Sequence, residues 1–434
     1  MLPWRLGGLV LFAVALAPPA PAQERTPATK HLTFAQAIDL ARRQAPALLA
    51  IHARIGEARA EAERARLWPF NPELDASVGP RSGSGETSTE WSVGLRQWLE
   101  TGGQRSHRTA MAHAEIDTAD AQWEDALRRT VQRAGLAFVE ALYWQRRLAL
   151  AEESVAITAG IERVARRRRE LGDATGLDAS VAALALARAR LAQARAGGEV
   201  ERALGTLRLT LGIESHIDLR IRGDITTFAV PQGASGEPLP RADVRVLQAE
   251  LRRARAAIDL ARSQRAPNVG VGATYAREEG DEIVQGTLAI SLPLFDHGQG
   301  DSAVALAQLA RVQVELAAAQ QRASVEIATA RAVADRFGAA ARRFESEGVV
   351  LLAASEAQAR KGYDAGALPL AELLAVRSEL VQAKVDYTDL LFEAAVAEIE
   401  FAAASGAWID EPALNPSVGG ASGLPADASA TENP

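Results

Sequence analysis

Histidines and acidic residues are the side chains of this chain that could bind a metal ion or catalyse a reaction, but their spacing does not group them. No two of the six histidines form a His-x-x-x-His pair, and His107 and His113 lie six residues apart, not on adjacent turns of one helix face. The absence of cysteine excludes disulfides, thiolate metal sites and cysteine nucleophiles. No Gly-x-Ser-x-Gly motif or phosphate-binding loop accompanies a strand-to-helix unit. We therefore expect no catalytic site, no bound metal and no cofactor.

Composition narrows the remaining classes of function. The chain has 434 residues, of which 48% are hydrophobic and 24% charged, which is ample for a folded protein. Its formal net charge of -7 at pH 7 argues against a general nucleic-acid partner. The basic run at residues 166–169 (RRRR) is interpreted as a solvated helix face.

The N-terminus has the pattern of a secretory signal peptide, which we predict over residues 1–22. Arg5 precedes an apolar run that ends at Leu16, and Ala20 and Ala22 form a small-residue cleavage site. No later segment has about 18 consecutive apolar residues, so no transmembrane helix is expected. Without cysteine, lipidation at the N-terminus is excluded. These features predict export from a bacterial cytoplasm.

The C-terminal tail at 409–434 is rich in Gly, Ala, Ser and Pro, and we expect it to be disordered.

The second half of the chain repeats the first. Single positions recur at offsets of 195, 194 and 194 residues in three pairs: Gly103 with Gly298, Gly172 with Gly366, and Asp178 with Glu372. Self-similarity at a fixed period indicates a duplicated structural unit.

Each repeat is expected to contain two strands followed by a long helical hairpin. Proline is absent between Pro80 and Pro231 and between Pro293 and Pro369, which permits helices of roughly 100 Å at 1.5 Å per residue. The predicted boundaries are a first repeat at 23–212 (strands about 72–80 and 90–99, helices about 104–170 and 177–209), a connector at 213–240, and a second repeat at 241–408 (strands about 268–276 and 283–293, helices about 299–362 and 370–404).

The predicted strands alternate apolar residues with polar or small ones, so each has one apolar face. Such a face packs on a core in a soluble sandwich, whereas in an outer-membrane barrel it contacts lipid. Four strands cannot close a membrane barrel, which needs at least about eight, so a membrane form would need several chains. Aromatic residues beside the strands are candidates for the membrane interface, with ordinary core packing as the alternative: Trp68, Trp91, Trp98, Tyr275 and Phe295.

A series of short motifs resembles the TolC family of bacterial outer-membrane efflux and secretion channels. In chain order they are residues 32–38 (LTFAQAI), 45–48 (APAL), 71–74 (NPEL), 99–105 (LETGGQR), 241–244 (RADV), 261–267 (ARSQRAP) and 292–298 (LPLFDHG). Each motif alone is weak. Together, in this order and with the internal repeat, they are specific and cover essentially the whole mature chain.

The resemblance implies a TolC-like fold that is mainly α with a small β part. Two structural repeats, each with two strands and a long coiled-coil helical hairpin, would assemble as a homotrimer with a twelve-stranded barrel and a helical tube. The implied location is the outer membrane of a Gram-negative bacterium, in contact with its lipid, with the tube in the periplasm. The implied partners are a periplasmic adaptor (membrane fusion protein) and an inner-membrane pump of the RND type.

The implied function is passive export of substrate delivered by that pump. The stretches at 71–74 and 102–105 look most like the CzcC-like branch, which is associated with heavy-metal cation efflux. Heavy-metal cations or other small toxic compounds are therefore the expected cargo, and a polypeptide exported by type I secretion is the alternative.

The resemblance also points to the hairpin tips as the functional region. Gly172 and Gly366 resemble tip glycines that contact the adaptor, and they would also form helix-breaking turns. Glu372 falls where the family can carry an acidic ring at the pore mouth, and Asp178 is its counterpart in the first repeat. The position one turn later, where a second acid can occur, is Ala375. An acid in the first turn of a helix is also explained by the helix dipole.

A periplasmic coiled-coil adaptor or scaffold is the main alternative to a channel, because adaptors also carry long Ala-rich hairpins. An adaptor would be expected to have one hairpin inserted into strand-rich domains, rather than two hairpins that each follow a strand pair. An enzyme is less favoured, since its only candidate groups would be scattered acids.

Overall fold

The structure is a computed structural model that describes residues 29–81, 88–230, 241–278 and 280–406. The predicted signal peptide at 1–22 and the predicted tail at 409–434 lie outside the described residues, as does the second part of the connector, 231–240.

Two strand pairs, each followed by a long helical hairpin, form the main body of the described chain. The first half contains β1 (Thr29–Leu32), α1 (Phe34–Gln44), α2 (Pro46–Arg66), β2 (Glu73–Arg81), β3 (Ser88–Glu100), α3 (Gln104–Glu170) and α4 (Gly176–Leu211). The second half contains β4 (Asp218–Ile221), α5 (Ala242–Ser263), β5 (Asn268–Glu278), β6 (Asp281–Ile290), α6 (Gln299–Arg343), a π-helical turn (Phe344–Gly348), α7 (Val349–Asp364) and α8 (Leu370–Ser405). The mainly helical fold class with a small β part is confirmed.

The four long strands form one antiparallel sheet in the order β2-β3-β5-β6, so β3 and β5 join the two repeats. Val78 and Val284 on its apolar face are 76% and 77% exposed, and a soluble protein rarely leaves such a contiguous face uncovered. Residues on this face are aligned across all four strands, for example Ala76, Val93, Tyr275 and Val284 in one row and Leu74, Leu95, Ala273 and Gly286 in another.

The opposite face of the sheet is polar. The hydroxyl oxygens of Ser77 and Ser92 lie 2.9 Å apart across the β2–β3 pair, and Arg81 forms an ion pair with Glu90 at 3.0 Å. One apolar and one polar face is the pattern of strands that separate lipid from water.

The helical hairpins are long and packed through small side chains. α3 has 67 residues, and α4 and α8 have 36 each. α3 packs along α4, α5 and α8, while α6 packs along α5 and α8, so the two hairpins lie side by side. Alanine predominates among the buried positions of these helices, which lets the backbones approach closely. Among the described helices, none has an 18-residue window apolar enough to cross a bilayer.

A compact core lies where α3 and α4 cross a small parallel sheet made by β1 and β4. Phe138 is fully buried there, and its ring makes an edge-to-face contact with Phe34 at 5.6 Å. The sequence did not predict β1, whereas for the connector it predicted irregular structure with short strand content, and β4 lies there. Strands of four residues are too short to show a hydrophobic period.

The helix predicted over 299–362 is interrupted by the π-helical turn at Phe344–Gly348. The Phe344 ring stacks on Tyr387 of α8, with centroids 4.8 Å apart. A Cβ at position 348 would lie 2.9 Å from the Phe344 ring, so glycine is the residue that leaves room for it. The turn thus coincides with a ring contact between two helices, which periodicity alone does not reveal.

Candidate functional site at the hairpin tips

The first hairpin tip is a tight turn that depends on glycine. Gly172 has a φ of 85°, and the N–H of Asp173 donates to the Arg168 carbonyl at 2.8 Å. This left-handed glycine ends α3 and satisfies a terminal carbonyl group. Apart from its two chain neighbours, no described residue has an atom within 4 Å of where a Cβ would stand on Gly172, so the tip is open.

The second hairpin tip has the same turn with a different entry into the returning helix. Gly366 has a φ of 73°, and the N–H of Ala367 donates to the Gly362 carbonyl at 2.9 Å. Space around Gly366 is also open. Pro369 occupies the N-cap of α8 and provides no capping side chain.

The Asp178 carboxylate is bound within its own tip. Thr175 caps α4: the Asp178 N–H donates to its hydroxyl at 3.1 Å, and the Thr175 N–H donates back to Asp178 Oδ2 at 3.1 Å. The Thr175 hydroxyl also donates to Oδ2, at 2.7 Å. This capping box provides acceptors for N–H groups that have no partner within the helix. The cap is therefore sufficient to explain an acidic residue at position 178, and a role in a pore is not needed.

Glu372 has no such bond. It lies in the first turn of α8 and is exposed, and no capping bond holds its carboxylate, because Pro369 stands where the first repeat has Thr175. In the described part of the chain its carboxylate has no hydrogen-bond or ion-pair partner. Ala375, one turn later, is exposed too. The repeat therefore places an engaged acid at one tip and a free acid at the other.

A contact between Arg168 and Tyr363 joins the two tips. The guanidinium of Arg168, near the end of α3, lies 5.5 Å from the ring centroid of Tyr363 in α7. A cation over an aromatic ring contributes about 0.5–1 kcal/mol at an exposed site.

An ion cluster farther from the tips joins the two hairpins, and the sequence analysis did not find it. Lys384 of α8 donates to Glu153 of α3 at 3.0 Å and to Glu356 of α7 at 3.3 Å. Arg377 of α8 forms a second ion pair with Glu356, at 3.0 Å. We call these four residues the hairpin clamp. Lysine is rare in this chain, with only three against a large excess of arginine, which is the one sequence signal that Lys384 is unusual.

The opposite charges within the hairpin clamp stabilise the ionised forms of its side chains. Partial burial raises the pKa of Glu356, but hydrogen bonds and charges from Lys384 and Arg377 outweigh it and leave the pKa below its ordinary value of 4.5. Burial lowers the pKa of Lys384, but the two carboxylates outweigh it and raise the pKa above 10.5.

A second polar link joins α3 to α8, closer to the compact core than the hairpin clamp. The Tyr143 hydroxyl donates to Asp389 Oδ1 at 2.9 Å, and Arg147 donates to the same oxygen at 2.6 Å. Burial, followed by the hydrogen bond to Asp389, raises the pKa of Tyr143 to about 12 despite the Arg147 charge. Tyr143 therefore stays neutral and acts as a donor.

The predicted interface aromatics do not form one group. Trp91 and Tyr275 meet on the apolar face with centroids 5.4 Å apart, and Phe295 is 93% exposed at the junction before α6. Trp98 lies seven residues from Trp91 on β3, hence on the polar face, where its ring covers Gly270. Trp68 lies in the linker between α2 and β2.

We expect Thr175→Ala to lower the stability of the first tip by about 1 kcal/mol, because it removes the N-cap and leaves Asp178 without its partner. Hydrogen exchange at the first turn of α4 should become faster, while exchange at the start of α8 should not change. Thr175→Ser keeps the hydroxyl and is the control. Equal exchange in both variants would show that the cap does not hold this tip.

Comparison with known proteins identifies relatives of this chain. The model of the outer membrane efflux protein family matches residues 37–213 and 239–407, one range in each repeat. Protein CyaE of Bordetella pertussis is 29% identical over 380 residues, which cover 81% of this chain and 79% of that protein. The cobalt-zinc-cadmium resistance protein CzcC of Cupriavidus metallidurans is 28% identical over 344 residues, which cover 76% of this chain and 79% of that protein.

A solved structure shows the same architecture. The crystal structure of a membrane protein from Pseudomonas aeruginosa superposes with a TM-score of 0.71 at 18% identity, over 86% of this chain and 93% of that chain. With the family model matching both repeats, the chain belongs to the outer membrane efflux protein family: it is an outer-membrane channel component of a tripartite efflux system, with its helical tube in the periplasm.

Proposed function

We propose that three copies of this chain form one closed channel. The sheet of a single chain has β2 and β6 as its edges. Edge strands have unpaired N–H and C=O groups, which lipid cannot satisfy. Pairing β2 of one copy with β6 of the next removes these edges, and three copies would give a barrel of twelve strands. The apolar outward face of a four-stranded sheet with two open edges is the observation that carries this proposal.

The proposed cargo is a heavy-metal cation that reaches the channel through a periplasmic adaptor from an inner-membrane pump of the RND type. The relative CzcC is a cobalt-zinc-cadmium resistance protein, and the match to it covers 76% of this chain. The channel is proposed to be passive and not an enzyme, with the free energy for export supplied by the pump.

Disruption of the gene in its host tests the cargo. We expect sensitivity to cobalt, zinc or cadmium to increase, and the intact gene supplied in trans to restore resistance. If metal tolerance is unchanged and a polypeptide instead disappears from the medium, the channel serves secretion and the metal proposal is wrong.

The two tips are the proposed adaptor contacts. Gly172 and Gly366 have left-handed backbones and open space around them, so a partner helix can approach the main chain closely there. Three copies would present six such tips to the adaptor.

Glu372 is the proposed cation-attracting group at the periplasmic mouth. Its carboxylate is exposed and is not used by a helix cap, unlike that of Asp178, for which we propose only a secondary role at the mouth. In a trimer one carboxylate per chain becomes a ring of three. At about 10 Å in water each would attract a monovalent cation by roughly 0.4 kcal/mol, or about 1.2 kcal/mol together before screening.

We expect Glu372→Gln to lower the cation-to-anion permeability ratio by about two- to eightfold in single-channel recordings at low salt, because about 1.2 kcal/mol corresponds to less than a factor of ten. Glu201→Gln is the control, since Glu201 is an exposed acid of α4 many turns from its tip. An unchanged ratio in Glu372→Gln would place this carboxylate outside the conduction path.

A further inference from the structure

A groove lies at the junction between the helical part and the sheet. It has a volume of about 530 Å³ and lies between the linker after α2, the first turns of α3 and the end of α5. Its apolar wall is formed by Leu67, Trp68, Pro69, Met111 and Leu260. Charged residues of α2 and α3 also line it. None of these residues belongs to the proposed mouth at the hairpin tips.

The groove lies beside the end of the sheet from which the helices leave. Trp68 is five residues before Glu73, the first residue of β2, and five extended residues span at most about 17 Å. The helices leave the sheet at this end and form the periplasmic tube. Leu67 and Trp68 are 64% and 53% exposed, so large apolar side chains stand uncovered at this level. Tryptophan is enriched at membrane interfaces, because its ring is apolar and its N–H is polar.

Arg105 is not among the residues that line the groove, but it adjoins the apolar wall through its contact with Trp68. The Arg105 guanidinium lies 5.4 Å from the Trp68 ring centroid, and its Nε donates to the Arg66 carbonyl at 2.7 Å. Within the described residues, no carboxylate pairs with Arg105. The terminal nitrogens of its planar fork therefore remain available, in the geometry that matches a phosphate.

The neighbouring arginines are already engaged. Arg108 binds Glu100 at 2.9 Å and donates to two carbonyl groups of the linker, so it holds the linker in place. Arg64 pairs with Glu61 at 3.2 Å, and Arg66 pairs with Glu63 at 3.0 Å. Arg105 is thus the one cation of this group whose charge the protein leaves uncompensated.

The second repeat does not reproduce this arrangement. At the offset of 195 residues, Arg105 corresponds to Gly300, so the second junction has no arginine at this position. That junction exposes Leu294 and Phe295, which are 74% and 93% exposed. The pairing of a free guanidinium with an exposed indole is therefore a property of the first repeat, once per chain.

We propose that this groove binds a phospholipid of the periplasmic leaflet, with its phosphate on Arg105 and an acyl chain along Leu67 and Trp68. The exposed apolar side chains of the wall suit an acyl chain, and the guanidinium of Arg105 complements the phosphate charge. A free phosphate ion would use only Arg105, whereas a lipid uses both parts of the site. Lipid binding at this groove is separate from export and does not depend on the cargo.

Native mass spectrometry of the full-length assembled protein tests the proposal. The protein is stripped of lipid in detergent and titrated with dioleoylphosphatidylethanolamine, with dioleoylglycerol, which lacks the phosphate, or with inorganic phosphate. We expect the phospholipid to remain bound, dioleoylglycerol to bind at least fivefold more weakly, and inorganic phosphate not to displace the lipid. Arg105→Gln should weaken phospholipid retention at least fivefold, whereas Arg66→Gln should not, because Arg66 does not line the groove and its side chain is already paired with Glu63.

Arg105→Lys is a second variant, which keeps the positive charge but removes the planar guanidinium. We expect its phospholipid retention to lie between that of the unaltered protein and that of Arg105→Gln. Circular dichroism and the assembled mass show whether each variant is folded. Retention in Arg105→Gln equal to that of the unaltered protein overturns the proposal, and so does equal binding of dioleoylglycerol. Displacement of the lipid by inorganic phosphate would show a free-anion site and would also overturn it.

Discussion

Lys384→Met should loosen the association between the two hairpins and raise the open probability of the channel. Lys384 donates to Glu153 and Glu356 at 3.0 and 3.3 Å, and its side chain is only 27% exposed. Hydrogen bonds to charged groups contribute about 1.5–3 kcal/mol, and part of this is lost to solvent at the edge of the clamp. We expect a loss of about 1–2 kcal/mol, equivalent to roughly a five- to thirtyfold shift between packed and separated hairpins.

We expect a large effect because methionine at position 384 keeps the approximate volume of the lysine side chain but removes its positive charge. Glu153 and Glu356 then face each other beside Leu150 and Val381 with less compensation, and Arg377 alone remains on Glu356. Hydrogen exchange in α7 and the first half of α8 should accelerate, and single-channel recordings should show longer openings. Lys361→Met is the control, because Lys361 is exposed on α7 and outside the clamp. Equal exchange in both variants would mean that the clamp does not restrain the second hairpin.

The clamp also predicts a pH window for the same measurements. Since the pKa of Glu356 is lowered in the folded protein, its stabilisation is fully present above 4.5 and is lost as pH falls through the lowered value. Since the pKa of Lys384 is raised, its contribution is fully present below 10.5 and is lost as pH rises through the raised value. Between these limits the protection that the clamp gives to α7 should not change with pH, and below pH 4.5 the protection of α7 in the unaltered protein should fall towards that in Lys384→Met.

The sequence predicted the long elements of this fold because their signals are local. Proline-free runs rich in helix formers gave the extent of α3, and alternation gave the strand pairs. These features depend on neighbours within a few residues, where periodicity and backbone preference act directly.

The features that the sequence did not reveal depend on partners far away in the chain. Lys384 and Glu153 are separated by 231 residues, and no local pattern links them. The π-helical turn contains Phe344, whose ring stacks on Tyr387 of another helix. The contrast between Asp178 and Glu372 was visible only as Thr175 against Pro369, and the capping bonds were needed to show that one carboxylate is engaged.

Gly298→Ala should be much more damaging than Gly103→Ala, although the two glycines occupy equivalent positions in the repeats. Both precede a long helix, with φ of 71° at Gly103 and 75° at Gly298. The left-handed backbone alone costs an alanine about 1–2 kcal/mol at either position. The surroundings differ: a Cβ at Gly103 would have its closest neighbour at 3.4 Å, whereas at Gly298 it would overlap the Ala261 carbonyl oxygen and lie 2.8 Å from Gln264 Oε1.

The overlap at Gly298 is with backbone at the end of α5, which cannot move without separating α5 from the junction that starts α6. Overpacking of this kind adds about 1–3 kcal/mol, so we expect a total of about 2–5 kcal/mol for Gly298→Ala against about 1–2 kcal/mol for Gly103→Ala. Denaturant midpoints followed by circular dichroism in detergent, with the yield in the outer-membrane fraction, measure the difference. Because the backbone angle is shared, that difference isolates the steric contribution. Equal denaturant midpoints for the two variants would mean that the end of α5 shifts to make room for the added Cβ and that the second junction is not rigidly packed.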